Sequence, residues 1–249
     1  MQNNHVGKPT EKMMQDINDH NVRLTKWYEI EEKTWTTAEE VVPMSGIWVY
    51  RNVIPTELQV IQRLEDVLLD PSNQYHYEEA LVGYGVKMPE YRDCVDFKYK
   101  KTDIQHDPSE AAQKLVALWE ETHHRQLQAV KHYTKMYNIG ELRYWEATNF
   151  IKYGPGQHFQ EHHDHGFSYN CVTSLVAFPN DDYEGGELYF RLQNVKVKPT
   201  AGDLYIFPSN YMYPHRAMPV LSGTKHSMVT MLDYSEKFHR PQFIVETGD

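Results

Sequence analysis

Beyond Gly140 the chain breaks into short β-rich runs, ELRYWEATNFIKY, NCVTSLVAF, ELYFRL, VKVKP, DLYIF and HSMVTMLDY, each set off by Gly, Pro or Asn-Asp turn residues. Runs this short cannot each bury an apolar face alone, so they predict an all-β sandwich or jelly roll. The preceding region reads differently. GIWVYRNVI alternates as a strand does, and PTELQVIQRLEDVLLD follows with helical spacing behind its proline. Residues 72–105 give no clear pattern, whereas Pro108–Tyr137 carries Ala111, Leu115, Leu118, Trp119 and Leu127 at helical spacing, as one helix or two. The expected fold class is therefore α+β in one integrated unit: an N-terminal arm over residues 1–45, helical support over 46–140, and a β-barrel core over 141–249.

A net charge of −10 among the 249 residues argues against broad attraction to nucleic acid or anionic membranes. No apolar run approaches the roughly 18 residues needed to cross a bilayer, and MQNNHVGKPTEKMMQD has no hydrophobic signal core. A cytoplasmic location is expected. The two cysteines, Cys94 and Cys171, lack CxxC spacing and are expected as free buried thiols.

With fourteen histidines in the chain, about one His-x-Asp match arises by chance, so the pattern alone says little. Position gives it weight. His162-His163-Asp164 falls where a strand is expected, and residues two apart on a strand share a face. A third ligand has to come from another strand, and His215 follows DLYIFPSNYMYP in the second half of the sandwich. Two imidazoles and a carboxylate on one face of an octahedron leave the other three positions open, which suits iron(II) binding an oxo-acid and dioxygen together. A structural zinc wants a closed shell, and no HExxH helix is present. His76-Tyr77-Glu78 lacks partners and reads as surface. His158, His163 and His165 read as supporting or surface histidines.

Lys225, ten residues after His215, is placed to pair with the far carboxylate of a metal-chelating dicarboxylate, although a solvated surface lysine is the ordinary reading. Tyr153 is a candidate donor to the same carboxylate, or a core tyrosine. Phe207, Tyr211 and Tyr213 are candidates for a proline pocket, and core packing explains them equally well.

The segments YGPGQHFQEHHD (153–164), FPNDDYEGGELYF (178–190) and PTAGDLYIFPSNYMYPHRAMPVLSGTKHSM (199–228) together resemble the prolyl 4-hydroxylase-like branch of the 2-oxoglutarate- and iron(II)-dependent dioxygenases. The resemblance spans about residues 145–235 and includes Gly185-Gly186-Glu187, Gly202 to Phe207, and Pro219-Val220 with Gly223 and Lys225. It implies a double-stranded β-helix (jelly roll, cupin-like) with supporting N-terminal helices packed on one face. It implies His162, Asp164 and His215 as metal ligands and catalytic centre, with Lys225 and Tyr153 holding 2-oxoglutarate. Fe(II), 2-oxoglutarate and O2 follow as cofactors and co-substrates, with ascorbate as an accompanying reductant. The implied reaction is hydroxylation of an unactivated C–H bond, with release of succinate and CO2. A prolyl residue in a peptide or protein is the implied substrate, with no membrane or nucleic-acid partner.

Two departures bear on the substrate. An arginine common on the strand after the His-x-Asp motif is replaced by Asn170 or Cys171, and a tryptophan of collagen-type members by Met231. An oxygenase of the same class acting on a free amino acid or another small molecule is the second reading. A non-catalytic β-sandwich binding module is the third, and a nucleic-acid demethylase is disfavoured by the net acidity.

Overall fold

The computed structural model describes residues 10–82, 85–166 and 170–236. The first nine residues of the expected arm and residues 237–249 of the expected barrel lie outside these.

Two antiparallel sheets face each other. The larger runs in the order Ala38–Glu40, Trp48–Tyr50, Asp203–Pro208, Thr173–Phe178, Lys225–Asp233, Thr148–Tyr153, Val95–Tyr99 and Glu78–Glu79, with Tyr144–Trp145 added beside Lys225–Asp233. The smaller runs Val195–Val197, Leu188–Phe190, His215–Ala217, His158–His162 and Arg92–Asp93. This is the double-stranded β-helix architecture, and the helices pack on the outer face of the larger sheet.

Alternation along the central strands explains the layering. Leu204, Ile206, Leu175 and Ala177 point outward and cluster with the helical Leu115 and Leu118. Their neighbours Tyr205, Phe207, Val176 and Phe178 point inward and cluster with Leu188 and Phe190 of the smaller sheet. Period-two side-chain direction thus gives this sheet two buried faces. Every residue of Thr173–Phe178 is buried.

Among the described residues four helices follow from the local sequence: α1 (Glu11–Trp27), α2 (Val60–Leu68), α3 (Lys101–Ile104) and α4 (Glu110–Met136). Ser109 caps α4 by accepting from the Ala112 amide at 3.2 Å. Ala112, Leu115, Leu118, Thr122, Ala129, Val130 and Tyr133 form its buried stripe. Polar ties then fix α4 on the sheet. Tyr133 Oη donates to the Gly46 carbonyl at 3.0 Å, and Arg125 Nε donates to the Val53 carbonyl at 2.6 Å. No residue of α1 is buried, but Trp27 Nε1 donates to Thr134 Oγ1 at 2.9 Å and anchors its end to α4.

The structure departs from the sequence reading in three places. The helix expected from Pro55 is broken at Gln59, whose left-handed backbone (φ 51°) separates a 3-10 turn at Thr56–Leu58 from α2. The break lets Val53 and Ile54 on one side, and Val60, Leu64, Val67 and Leu68 on the other, all reach the core. Residues 46–140, expected as helical support behind the GIWVYRNVI strand that is present as Trp48–Tyr50, also supply strands that were not expected, Val95–Tyr99 to the larger sheet and Arg92–Asp93 to the smaller. The aromatic trio is dispersed: Phe207 is in the core, Tyr211 is exposed, and Tyr213 donates to the Ser45 carbonyl at 2.9 Å. Cys94 and Cys171 are both free and buried, as expected. Among the described residues no helix is long and apolar enough to cross a membrane.

Leu115 is fully buried where α4 meets the sheet. Leu115→Ala should lower the unfolding free energy by about 2–5 kcal/mol, read from urea denaturation. An unchanged midpoint would mean that α4 does not share the core.

Candidate active site

His162 ends one strand of the smaller sheet, and His215 begins its antiparallel neighbour directly opposite. Antiparallel partners have their side chains on the same face, so both imidazoles enter the space between the sheets. Asp164 lies two residues past His162, where the strand has ended. Its carboxylate closes the group: His162 Nε2 is 3.6 Å from Asp164 Oδ1, and His215 Nε2 is 3.8 Å from Asp164 Oδ2. One ligand atom from each residue lies within 4.8 Å of the others, close enough to converge on one ion.

The second nitrogens fix the tautomers. His162 Nδ1 lies 2.8 Å from the Gln160 carbonyl and His215 Nδ1 lies 3.1 Å from the Tyr213 carbonyl. A carbonyl only accepts, so Nδ1 carries the hydrogen and the Nε2 lone pair faces Asp164. Burial, reinforced by His215, pulls His162 below the usual imidazole range and keeps its ring neutral at ordinary pH. The Asp164 carboxylate accepts from Ser174 Oγ at 2.5 Å, and Ser174 shares a 2.7 Å hydrogen bond with Ser209. Phe159 stacks on His162 at 3.7 Å between centroids, while Phe190 and Phe207 flank His215. These contacts restrict each ligand to one orientation.

A cavity of about 90 Å³ extends from this group toward Lys225, and Tyr153, Phe178, Ile151, Val229 and Met231 are among its lining. Lys225 and Tyr153 are cross-strand partners in the larger sheet. Lys225 is only 2% exposed, and Nζ donates to the Gly186 carbonyl at 2.7 Å while lying over the Tyr153 and Phe178 rings. Among the described residues no carboxylate is within ion-pair distance of it. Burial therefore pulls its ammonium down to about 7, a shift only partly offset by Glu187. Tyr153 is buried, and burial raises its hydroxyl well above the usual range, so it stays a donor; the Cys94 thiol is its polar neighbour.

The Gly185-Gly186 turn makes room for this lysine. Both residues have positive φ, and a Cβ on Gly185 would stand 2.5 Å from the Pro219 carbonyl oxygen. A Cβ on Gly186 would press on Lys225 Cδ at 3.0 Å.

The five residues expected at a site thus line one cavity. His163 is exposed, His158 contacts only backbone carbonyls, and His165 is bound to the Cys171 backbone. His76 and Glu78 are on the surface. The sequence reading missed Arg92, Asn149 and Ser174. Asn149 was within reach of it, since period two from Tyr153 puts it on the same face.

Such a cluster in such a fold can hold a divalent ion and leave part of its shell open. The family model of the 2OG-Fe(II) oxygenase superfamily matches residues 148–232, the segment that holds Tyr153, His162, Asp164, His215 and Lys225. Prolyl 4-hydroxylase 1 of Arabidopsis thaliana is 30% identical over 109 residues, which are 33% of this chain and 38% of the relative. A PKHD-type hydroxylase of Colwellia psychrerythraea is 39% identical over 62 residues, covering 24% and 27% of the two chains. The chain spans about two-fifths or less of the length of the curated relatives it matches. Among solved structures, a Trichoplax adhaerens prolyl hydroxylase in complex with a hypoxia inducible factor peptide fragment aligns at a TM-score of 0.58 with 14% identity, over 93% of this chain and 96% of that one. A Pseudomonas putida prolyl-4-hydroxylase aligns at 0.56 with 19% identity, over 76% and 94%. At these identities the structural likeness concerns the fold.

The Lys225 amine should titrate near pH 7 rather than near the ordinary lysine range. The ¹³Cε resonance lost in Lys225→Met would report this, and an ordinary titration would mean that water reaches the amine.

Proposed function

We propose that the chain is an Fe(II)- and 2-oxoglutarate-dependent dioxygenase that hydroxylates an unactivated C–H bond, most consistently that of a prolyl residue in a peptide or protein. The observation that carries this reading is Lys225: a buried ammonium without a carboxylate partner among the described residues, in the same cavity as His162, Asp164 and His215. A desolvated cation is costly unless a counter-charge reaches it, and a dicarboxylate chelating the metal at one end supplies that charge at the other. The donor set also fits the metal. Two neutral imidazoles with free Nε2 atoms and one hydrogen-bonded carboxylate suit iron(II) and leave half of its shell open.

Bound iron, with 2-oxoglutarate and O2, would supply the oxidising power for C–H hydroxylation, with release of succinate and CO2. His162, Asp164 and His215 would hold the ion. Ser174 keeps Asp164 aimed, because its hydroxyl occupies one carboxylate oxygen. Lys225 pairs with the distal carboxylate and Tyr153 donates its hydroxyl to it. Phe178, Ile151 and Val229 exclude water along the path, which strengthens that ion pair. The prolyl assignment draws on the names of the relatives, prolyl 4-hydroxylase and prolyl hydroxylase.

Three outcomes test this reading. His162→Ala, Asp164→Ala or His215→Ala should abolish iron(II) retention and turnover, read by anaerobic titration and succinate release. Iron affinity undiminished in all three would remove them from the metal. Lys225→Ala should raise the apparent KM for 2-oxoglutarate by about tenfold or more, as expected for a lost charge-assisted hydrogen bond.

The pH dependence has a definite sign. Below pH 7 the Lys225 amine is already charged and the affinity for 2-oxoglutarate should be flat; above it binding must draw a proton, so affinity should fall, by at most about tenfold per pH unit. Calorimetry in buffers of different ionisation enthalpy would show proton uptake at pH 8. Its absence would place the carboxylate elsewhere.

A further inference from the structure

A second polar group lines the same cavity. Arg92, from the edge strand of the smaller sheet, and Asn149, four residues before Tyr153 on the larger sheet, both face it. A strand rises roughly 3.3 Å per residue, so Asn149 sits about 13 Å from Tyr153 along the strand. Its cross-strand partner is Val229, two residues from Met231, and Met231 pairs with Ser174, the residue that holds Asp164. Asn149 thus lies at the end of the cavity nearer the metal cluster, away from Lys225.

Asp96 organises both side chains. Its Oδ2 accepts from Arg92 Nη2 at 2.6 Å and from Asn149 Nδ2 at 3.2 Å. Since a carboxylate only accepts, the amide of Asn149 is oriented with Nδ2 toward Asp96 and Oδ1 away from it. Arg92 Nη1 is also used, donating to the Leu81 carbonyl at 2.9 Å, and the guanidinium lies over Phe159, the ring stacked on His162. Two polar atoms remain over. Among the described residues Arg92 Nε and Asn149 Oδ1 are buried without a hydrogen-bond partner, and the Cys94 thiol, a weak acceptor, lies beside the guanidinium. Buried polar atoms without partners are uncommon and call for an explanation.

We propose that Arg92 and Asn149 are the residues that read the substrate, through a spare N–H donor and a spare amide oxygen that take the C=O and an N–H of neutral peptide groups. This rests on the oxygenase reading above and decides between its two substrate classes. A free amino acid would bring a carboxylate, for which a guanidinium offers a two-pronged fork with a net charge. Here the fork is occupied by Leu81 and Asp96, and the charge is offset by Asp96. A substrate carboxylate would be buried beside an already neutralised pair, whereas a peptide carbonyl and amide leave no charge uncompensated. Arg92 and Asn149 are specificity residues. Asp96 is a positioning residue acting through them.

The test uses a library of N-acetylated, C-amidated proline-containing peptides against free L-proline and other free amino acids, with succinate release as readout. At least one capped peptide should stimulate turnover while free amino acids do not. Arg92→Lys and Asn149→Leu should each raise the peptide KM by about tenfold, the size of one lost buried hydrogen bond, in protein that still binds 2-oxoglutarate. Asp96→Asn carries the sharper expectation. It leaves the Arg92 charge unbalanced, so peptides ending in a free carboxylate at the prolyl residue should gain on their capped counterparts, a shift that loosened packing would not produce.

Stimulation by free amino acids alone, no stimulation by any capped peptide, or a peptide KM unmoved in both variants would overturn the proposal. Failure of the wild-type chain to bind iron(II) and 2-oxoglutarate is a separate result, and it would count against the oxygenase reading itself.

Discussion

The antiparallel register that sets His162 opposite His215 is the constraint on which the site depends. Side chains alternate across a sheet, so a slip of one residue would turn one imidazole out of the cavity and bring in a neighbour. Apolar pairing holds the register. Phe159 lies opposite Ala217 on one side, and Phe190 lies opposite His215 on the other. Asp164 is positioned differently, because it stands beyond the strand end and takes its direction from Ser174 and Ser209 on the larger sheet. The three side chains converge only while the two sheets keep their spacing. The core of Val176, Phe178, Leu188, Phe190 and Phe207 therefore fixes the site as well as the fold.

The helical layer acts on the site through the larger sheet. That sheet carries Lys225, Tyr153, Asn149 and Ser174 on its inner face, and Leu204, Ile206, Leu175 and Met228 on its outer face against α4. A sheet covered on both faces has little freedom to bend, and this lets it hold a lysine away from water. Burying that amine opposes folding, because the unfolded chain solvates it and the folded chain does not. Local departures of this kind, where one part of a structure works against stability, concentrate at functional sites.

How much of this was legible follows from how each signal is written in the chain. His162 and Asp164 are two residues apart in the chain, and although Asp164 falls just past the strand end instead of on the strand as expected, that closeness still brings its carboxylate to the imidazole; His215, Lys225 and Tyr153 fall within the compact C-terminal β-rich part, where order along the chain located them. The jelly roll was legible for the same reason: its strands are short, apolar and punctuated by turns. Arg92 and Asp96 were not. Arg92 lies on the edge strand of the smaller sheet and Asp96 on the strand next to the edge of the larger one, and strands of intermediate burial at a sheet's margin write a weak alternation. Val95-Asp96-Phe97-Lys98-Tyr99 does alternate, but nothing in the sequence said that it would join the sheet next to Thr148–Tyr153. The break at Gln59 was hidden as well, since a single left-handed residue leaves the apolar spacing on each side intact. The roles of Phe207, Tyr211 and Tyr213 were equally closed to composition, because three aromatics near one another in sequence face three different environments.

Charge balance links the two ends of the cavity. Asp164 carries one negative charge, Lys225 is poised between neutral and charged, and Arg92 with Asp96 sums to zero. A divalent iron ion and doubly negative 2-oxoglutarate would enter as compensating charges, and the arrival of the dicarboxylate favours the charged form of Lys225, leaving a cavity with no net charge. In a space from which water is excluded, any further ion would have to be neutralised by a group the cavity does not possess. A neutral amide has no such requirement, and it meets an unused donor and an unused acceptor at the end near the metal. On the proposed reading, the same burial that would make Lys225 selective for a carboxylate would make the opposite end selective against one.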